Sequence, residues 1–292
     1  MKKVRYLLQS NLNMSRSAYI FIRQLSKTFY LTPQNNGVCT MTKMMEQYNQ
    51  IVTAAMSDII RDEESAILQA AELLSDKVLE DRLINIYGAG GHSAIAAMEI
   101  FWRAGGIAQI NAMFPAGTNI VSANPTTAKL EGYAPYILNF YDVYQDDVLI
   151  LVNFYGLNIT AVDVAIEAKK RGVKLITVNA HKFAEKVPKN FIWRHSSKQN
   201  INDFADIAID NHVPYPDAVL DCEGIEEKIT PTATILTCFT LNCLMSETIR
   251  LIKAKGGSPD IWLSNNIPGC DEHNKPIHDK YRKRIHHLYP VW

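Results

Sequence analysis

The chain has 292 residues, 47% of them hydrophobic, and its thirty basic side chains balance thirty acidic ones. That content supports a substantial core in one large domain or two small ones. It argues against a nucleic-acid or membrane partner, and no apolar run approaches the roughly 20 residues of a membrane span. The five cysteines, Cys39, Cys222, Cys238, Cys243 and Cys270, form no close-spaced framework. Reduced thiols in a cytoplasmic protein are the simpler reading.

From Met1 to Leu31 the charges are all basic (Lys2, Lys3, Arg5, Arg16, Arg23, Lys27). An organellar presequence has that composition. The preferred reading is a start placed too far upstream, with Met14, Met41, Met44 and Met45 as alternatives. Residues 1–43 are therefore expected to be a poorly ordered or misplaced extension, and 44–292 one domain. That extension is too short and irregular for a helix-turn-helix module.

Regular pattern begins at Met44. Apolar residues recur at three- and four-residue steps through Ile60, and a second series from Ile67 to Val78 follows acidic Asp62-Glu63-Glu64. Acidic residues favour a helix start, so two successive helices are predicted. Strands and helices then alternate: strand Leu83–Tyr87, helix Ser93–Ala104, strand Ile107–Met113, loop Phe114–Asn124 and short helix Thr126–Tyr133. Strand Val148–Val152, helix Thr160–Arg171, strand Val173–Val178, short helix Asn200–Ala205 and strand Ile207–Ile209 follow. Short, continuously apolar strands between helices predict an α/β fold, a parallel sheet covered on both faces. Pro231–Lys255 reads as a long helix, apolar almost all round and so buried in the core or at an interface. The basic tail Pro276–Leu288 reads as helical.

Ligands of such sheets sit beyond the carboxyl ends of the strands. The first strand ends in Gly88-Ala89-Gly90-Gly91-His92-Ser93, where glycines allow close approach and a helix start offers N–H groups to an anion. A histidine within such a turn is expected to face the ligand. After the third strand comes Asn153-Phe154-Tyr155-Gly156-Leu157-Asn158, and after the fourth Asn179-Ala180-His181 and then Arg194-His195-Ser196-Ser197-Lys198. A dinucleotide fingerprint is disfavoured: Ser93 stands where its third glycine would be, and Gln109-Ile110-Asn111 offers no ribose-binding acid. A P-loop is excluded because no Gly-Lys-Ser/Thr follows. Cys270, His273 and His278 match no standard zinc spacing, so neither a metal nor a cofactor is expected.

Several segments in order resemble the sugar isomerase (SIS) domain family, in particular stand-alone bacterial phosphosugar-isomerase-like proteins. They are Gly88–Ser93, Phe101-Trp102-Arg103-Ala104-Gly105-Gly106, Leu130-Glu131-Gly132-Tyr133-Ala134, Arg194–Lys198, Ala205–Asn211 and Asp271-Glu272-His273-Asn274. The resemblance implies a three-layer, flavodoxin-like, five-stranded parallel sheet with helices on both faces. It also implies a homodimer and a phosphorylated sugar or amino sugar bound at the strand ends. Ser93 would give a hydroxyl to the phosphate. In the second phosphate loop Gly156 and Asn158 match the family, whereas an amide, Asn153, and a phenol, Tyr155, replace two serines. The rings of Phe154 and Tyr155 are expected to narrow or fill the pocket.

The resemblance also suggests Glu223, before the long helix, as an isomerase base, with Glu131 as a second carboxylate. His273, beside Glu272, would serve from its own or a neighbouring subunit. Pro231-Thr232-Ala233-Thr234 resembles a family turn whose hydroxyls face the ligand, although Thr230 as helix cap with Pro231 at the first helical position would explain the same residues. Two functions follow: an aldose–ketose isomerase of a phosphorylated sugar or amino sugar, and a non-catalytic sugar-phosphate sensor on the same fold.

Overall fold

A computed structural model describes residues 41–121 and 127–289. The readings made for residues 1–40 lie outside them. Five strands, β1 (Ile84–Gly88), β2 (Ile110–Met113), β3 (Val148–Val152), β4 (Lys174–Asn179) and β5 (Ile207–Asp210), form one sheet in the order β2-β1-β3-β4-β5. Every pairing is parallel, with Ile86 beside Ala112 on one side and Ile150 on the other. β1 to β3 are buried along their whole length, as their unbroken apolar runs require.

Alternate residues of each strand feed two cores. Ile84, Ile86, Ile150, Ile176 and Val178 point to one face. They meet helices α1 (Met41–Asp62), α2 (Glu64–Leu79), α3 (Ser93–Ile100) and the long helix α7 (Ala233–Ala254). Tyr87, Leu149, Leu151 and Leu175 point to the other, against α4 (Ala134–Phe140) and α5 (Ile159–Lys170). The three-layer α/β sandwich expected from the sequence is the observed fold.

α7 has the length and apolarity of a membrane span, yet one face is packed in this core. Leu236, Leu241, Leu244 and Ile252 are fully buried there, each contributing about 1.5–3 kcal/mol. Thr237, Thr240 and Thr248 lie on the same buried face and donate their hydroxyls to the carbonyls of Ala233, Leu236 and Leu244. The opposite face is only partly covered, and Ile235 is 40% exposed. α7 is thus less enclosed than its composition implied.

Other departures are local. The helix after β1 stops at Ile100, with Trp102 in a left-handed conformation. Of the helix expected over Thr126–Tyr133, only the turn Thr127–Lys129 is helical among the described residues. A short helix, α6 (His181–Lys186), follows β4. An antiparallel hairpin not expected from sequence, β6 (Ala218–Cys222) and β7 (Ile225–Pro231), precedes α7. Pro231 therefore ends a strand and Thr232 is the N-cap of α7, correcting the assignment of Thr230 and Pro231. Helix α8 (Cys270–Tyr281) starts before the expected tail, and the segment preceding it pairs with the residues leading into β2: Ile107 bridges Ile261, and Ala108 N–H donates to the carbonyl of Asp260.

Candidate functional site

The chain leaves β1 for one side of the sheet and β3 for the other. The crevice between their carboxyl ends is where doubly wound sheets bind ligands. A cavity of about 290 Å³ opens there, lined by both turns, by Asp217 and by the start of α7. Gly88 lets the chain turn tightly, because a Cβ there would run into the carbonyl of Ser93. Gly90 has φ +105°, a conformation that favours glycine. Gly90, Gly91, His92 and Ser93 all line the cavity. The N–H groups of Gly90, Gly91 and His92 have no hydrogen-bond partner among the described residues. Unpaired N–H groups backed by the N-terminus of α3 are donors of the kind that suit an anion. Ser93 Oγ accepts from Phe154 N–H at 3.1 Å, which leaves its own proton for a guest.

The β3 turn behaves differently. Asn153 donates Nδ2 to the carbonyl of Ala89 at 2.5 Å, and its Oδ1 accepts from Leu157 N–H at 3.1 Å. It lines the cavity, but its polar atoms tie the two turns together. Gly156 has φ +72°, and a Cβ on it would collide with the buried amide of Asn179. It shapes the turn from behind. Asn158 is the N-cap of α5 yet makes no side-chain capping bond. Its amide lies beside Gly90, where a Cβ would stand 3.3 Å from Nδ2. It remains available to a ligand.

Phe154 and Tyr155, expected to narrow or fill the pocket, both line the cavity and leave it open. Phe154 is 5% exposed and packs into the main core. Tyr155 stacks on Phe183, with centroids 4.1 Å apart and planes 17° from parallel, and so forms a wall. Its hydroxyl donates to Asp217 Oδ2 at 3.2 Å. Burial, aided by Asp217, pushes its pKa up to about 12, so it stays a donor.

Asp217 is the cavity residue that the sequence reading missed. Its Oδ1 accepts from Thr232 N–H and Ala233 N–H, both at 2.8 Å, and from Thr232 Oγ1 at 3.1 Å. A carboxylate of the chain itself thus occupies the N-terminus of α7, a favourable place for negative charge. Thr232, expected to face a ligand, is buried and engaged with Asp217. Thr234 does line the cavity, and its hydroxyl has no partner among the described residues.

The remaining candidates stand elsewhere. Glu131 accepts from Ser196 N–H and Ser196 Oγ, both at 2.6 Å. Burial works against its charge, but the two bonds from Ser196 and nearby His195 hold its carboxyl below the usual range. It is an ionised brace with little basicity. Ser197 pairs with Nδ1 of His195 at 2.9 Å. Neither serine lines the cavity. Arg194 is 6% exposed, and its guanidinium is engaged with the carbonyls of Ala184, Val187 and Pro188 and with Asn200. Glu223 is exposed at the tip of the β6–β7 hairpin, next to Gly224 at φ +81°. His273 donates Nε2–H to the carbonyl of Ile261 at 2.9 Å, on the segment that pairs with the residues entering β2. Neither is brought to the cavity of its own chain.

The hairpin explains why Asp217 was missed. Pairing of Ala218 with Pro231 carries Asp217 beside Thr232, fifteen residues along the chain. The available signal was Glu223-Gly224 between two β-patterned runs, a two-residue hairpin turn.

The SIS domain profile matches residues 47–180. A UPF0309 protein of Caldanaerobacter subterraneus subsp. tengcongensis is 35% identical over 251 residues, covering 84% of this chain and 100% of the relative. Another, from Thermoanaerobacter pseudethanolicus, is 33% identical over 248 residues, covering 83% and 97%. Similar solved structures include a phosphoheptose isomerase from Francisella tularensis (13% identity, TM-score 0.44, 73% of this chain and 100% of that one). The sugar isomerase domain of an RpiR transcription factor from Sphaerobacter thermophilus is also similar (14% identity, TM-score 0.44, 73% and 93%). The chain belongs to the UPF0309 family, and its residues 47–180 carry a SIS domain.

Proposed function

We propose that this protein binds a phosphorylated sugar in the crevice between β1 and β3. The observation that carries the reading is the set of unpaired N–H groups at Gly90, Gly91 and His92 beside the hydroxyl of Ser93 and the amide of Asn158. Those donors suit a phosphate. The cavity, about 290 Å³, is at the small end of the roughly 300–1,000 Å³ of small-molecule sites, a size for one monosaccharide phosphate. The homodimer fits with this reading. Ile60 and Leu68, 59% and 37% exposed, edge an apolar groove between α2 and α7 that a second copy would cover.

Binding without chemistry, as in a sensor, is the primary reading, because Glu223, His273 and Glu131 all stand outside the cavity. Aldose–ketose isomerisation is the second, favoured by one observation: Asp217 and His92 both line the cavity, a carboxylate and an imidazole of the kind proton transfer between neighbouring carbons needs. A thermal-shift panel of aldose and ketose phosphates tests both. A ligand at a hundred times its dissociation constant adds about 2.7 kcal/mol of stability. A shift abolished by excess inorganic phosphate supports the site, and no shift with any member overturns it. Interconversion of a bound aldose and ketose phosphate, lost in Asp217→Asn, would establish the isomerase.

A further inference from the structure

The opposite end of the sheet holds a second cavity, of about 380 Å³, that the phosphosugar reading does not use. It lies at the amino ends of the strands, lined by Arg82 and Leu83, just before β1, and by Asp147, just before β3. Two asparagines from the largely apolar strands β1 and β2 also line it. Asn85 and Asn111 stand side by side in register, 3% and 1% exposed. Burying a carboxamide is costly unless its polar groups are paired.

Asn85 Nδ2 donates to the carbonyl of Val148 at 3.0 Å. Asn111 Nδ2 donates to Asn85 Oδ1 at 2.9 Å and to the carbonyl of Tyr141 at 3.1 Å. Main-chain carbonyls close both ends of this row, so turning either amide over would set oxygen against oxygen. That fixed orientation leaves one group over: Asn111 Oδ1 is buried and accepts no hydrogen bond among the described residues. What the site lacks is a donor.

The surrounding wall carries more negative charge than positive. Four carboxylates, Glu80, Asp81, Asp142 and Asp147, line it with two guanidiniums, Arg82 and Arg284. Lys77 pairs with Glu80 at 2.8 Å, Arg284 with Asp81 at 3.0 Å and Arg82 with Asp147 at 2.9 Å. No lysine or arginine pairs with Asp142 among the described residues. It meets the Tyr144 hydroxyl at 3.3 Å and His286 Nε2 at 3.4 Å. Asp142 follows Tyr141, whose carbonyl holds Asn111, so the carboxylate and the unpaired oxygen border one space. No group of His, Cys, Asp and Glu among the described residues is arranged to hold a metal ion. An ammonium suits the place, because its three N–H donors can be shared between a neutral oxygen and a carboxylate.

We propose that this cavity binds a small aliphatic amine in its protonated form, with the ammonium on Asn111 Oδ1 and Asp142. The ligand supplies both the donor that Asn111 lacks and the cation that Asp142 lacks. The site lies apart from the crevice and does not depend on the phosphosugar reading.

Titration of the full chain at neutral pH, read by amide NMR, tests it with putrescine and with butanediol, its uncharged counterpart. Saturable shifts of the Asn111 side-chain amide are expected with the diamine and none with the diol. Asp142→Asn should weaken the binding by roughly threefold or more, the scale of one partly exposed ion pair. The Asp142 side chain is 68% exposed and its φ is +55°, a conformation asparagine also adopts, so this variant keeps the fold. Excess inorganic phosphate at constant ionic strength should leave the amine bound; displacement would put it in the crevice and overturn the proposal. Shifts confined to other residues, an equal response to the diol, or unchanged binding in Asp142→Asn would also overturn it. So would a response of Asn111 to magnesium or potassium chloride but not to the diamine, which would make the site one for a metal cation. Absence of any binding leaves water as the guest of Asn111, and the proposal falls.

Discussion

The turns after β1 and β3 border one cavity and use their polar groups in opposite ways. After β1, the N–H groups of Gly90, Gly91 and His92 stay unpaired among the described residues. After β3, Asn153 ties itself to Ala89 and Leu157, and the Gly156 N–H returns to the Asn153 carbonyl. The first turn is a seat and the second a brace that holds the seat in position. With Asn153 and Tyr155 engaged in this way, the unpaired main-chain donors lie on the β1 turn, the β3 turn offers the Asn158 amide, and the cavity stays open.

Attacking the glycine turn should have the largest effect. In Gly88→Ala the new Cβ meets the main chain of Ser93 and Ala94, which cannot yield without moving α3. Stability should fall by about 3 kcal/mol in urea unfolding; a loss under about 1 kcal/mol would show that β1 and α3 approach less closely. Attacking the brace comes next. Asn153→Ala leaves a buried carbonyl and a buried N–H unpaired, for about 2 kcal/mol of stability, and should weaken ligand binding as the turns separate. The same loop supplies its own control. Asn158 makes no capping bond, so Asn158→Ala should leave the unfolding midpoint nearly unchanged while weakening sugar-phosphate binding roughly tenfold, about 1.4 kcal/mol. If Asn158→Ala destabilised as much as Asn153→Ala, the division into seat and brace would be wrong.

The smallest effect is expected farther along the strand ends, at β5, where polar groups serve stability alone. His212 Nε2 lies 3.3 Å from Glu63 Oε1, and Glu63 Oε2 accepts from Asp210 N–H. The hydrogen bond to Glu63 chiefly raises the His212 pKa, helped by Asp210 and Asp62. For Glu63, burial opposes the charge, but His212 and the Asp210 N–H outweigh it and lower the pKa. The His212 contribution is complete below its usual 6.5 and is lost as pH rises through the raised folded value. The Glu63 contribution is complete above its usual 4.5 and is lost as pH falls through the lowered folded value. Stability should therefore be greatest between those two usual values, and His212→Gln should flatten the profile. An unchanged profile in that variant would remove the pair from the account.

The sheet was legible from sequence because its strands are apolar on both faces, which leaves no other place for Ile84–Gly88, Val148–Val152 or Lys174–Asn179 than a covered parallel sheet. The β1 turn was equally legible, since glycine before a helix has few other uses. The sequence reading thus placed Gly90–Ser93 at the crevice, whose cavity they line. The partners of each polar side chain were not. Glu131 and Ser196 looked like separate site residues and proved to hold each other, 65 positions apart. Tyr155 looked like an obstruction until Phe183, on α6, gave its ring somewhere to rest.

What the sequence by itself determined is the architecture and the place of the crevice, because both depend on local periodicity and on backbone freedom at a few glycines. What only the tertiary structure decided is which charge stands in that crevice. Asp217 arrives there through the register of a hairpin, Glu223 is carried to its exposed tip by the same pairing, and His273 is held by the carbonyl of Ile261 on the segment that pairs with Ile107. Long-range pairing sets side-chain neighbours across space, and spacing along the chain carries no record of it.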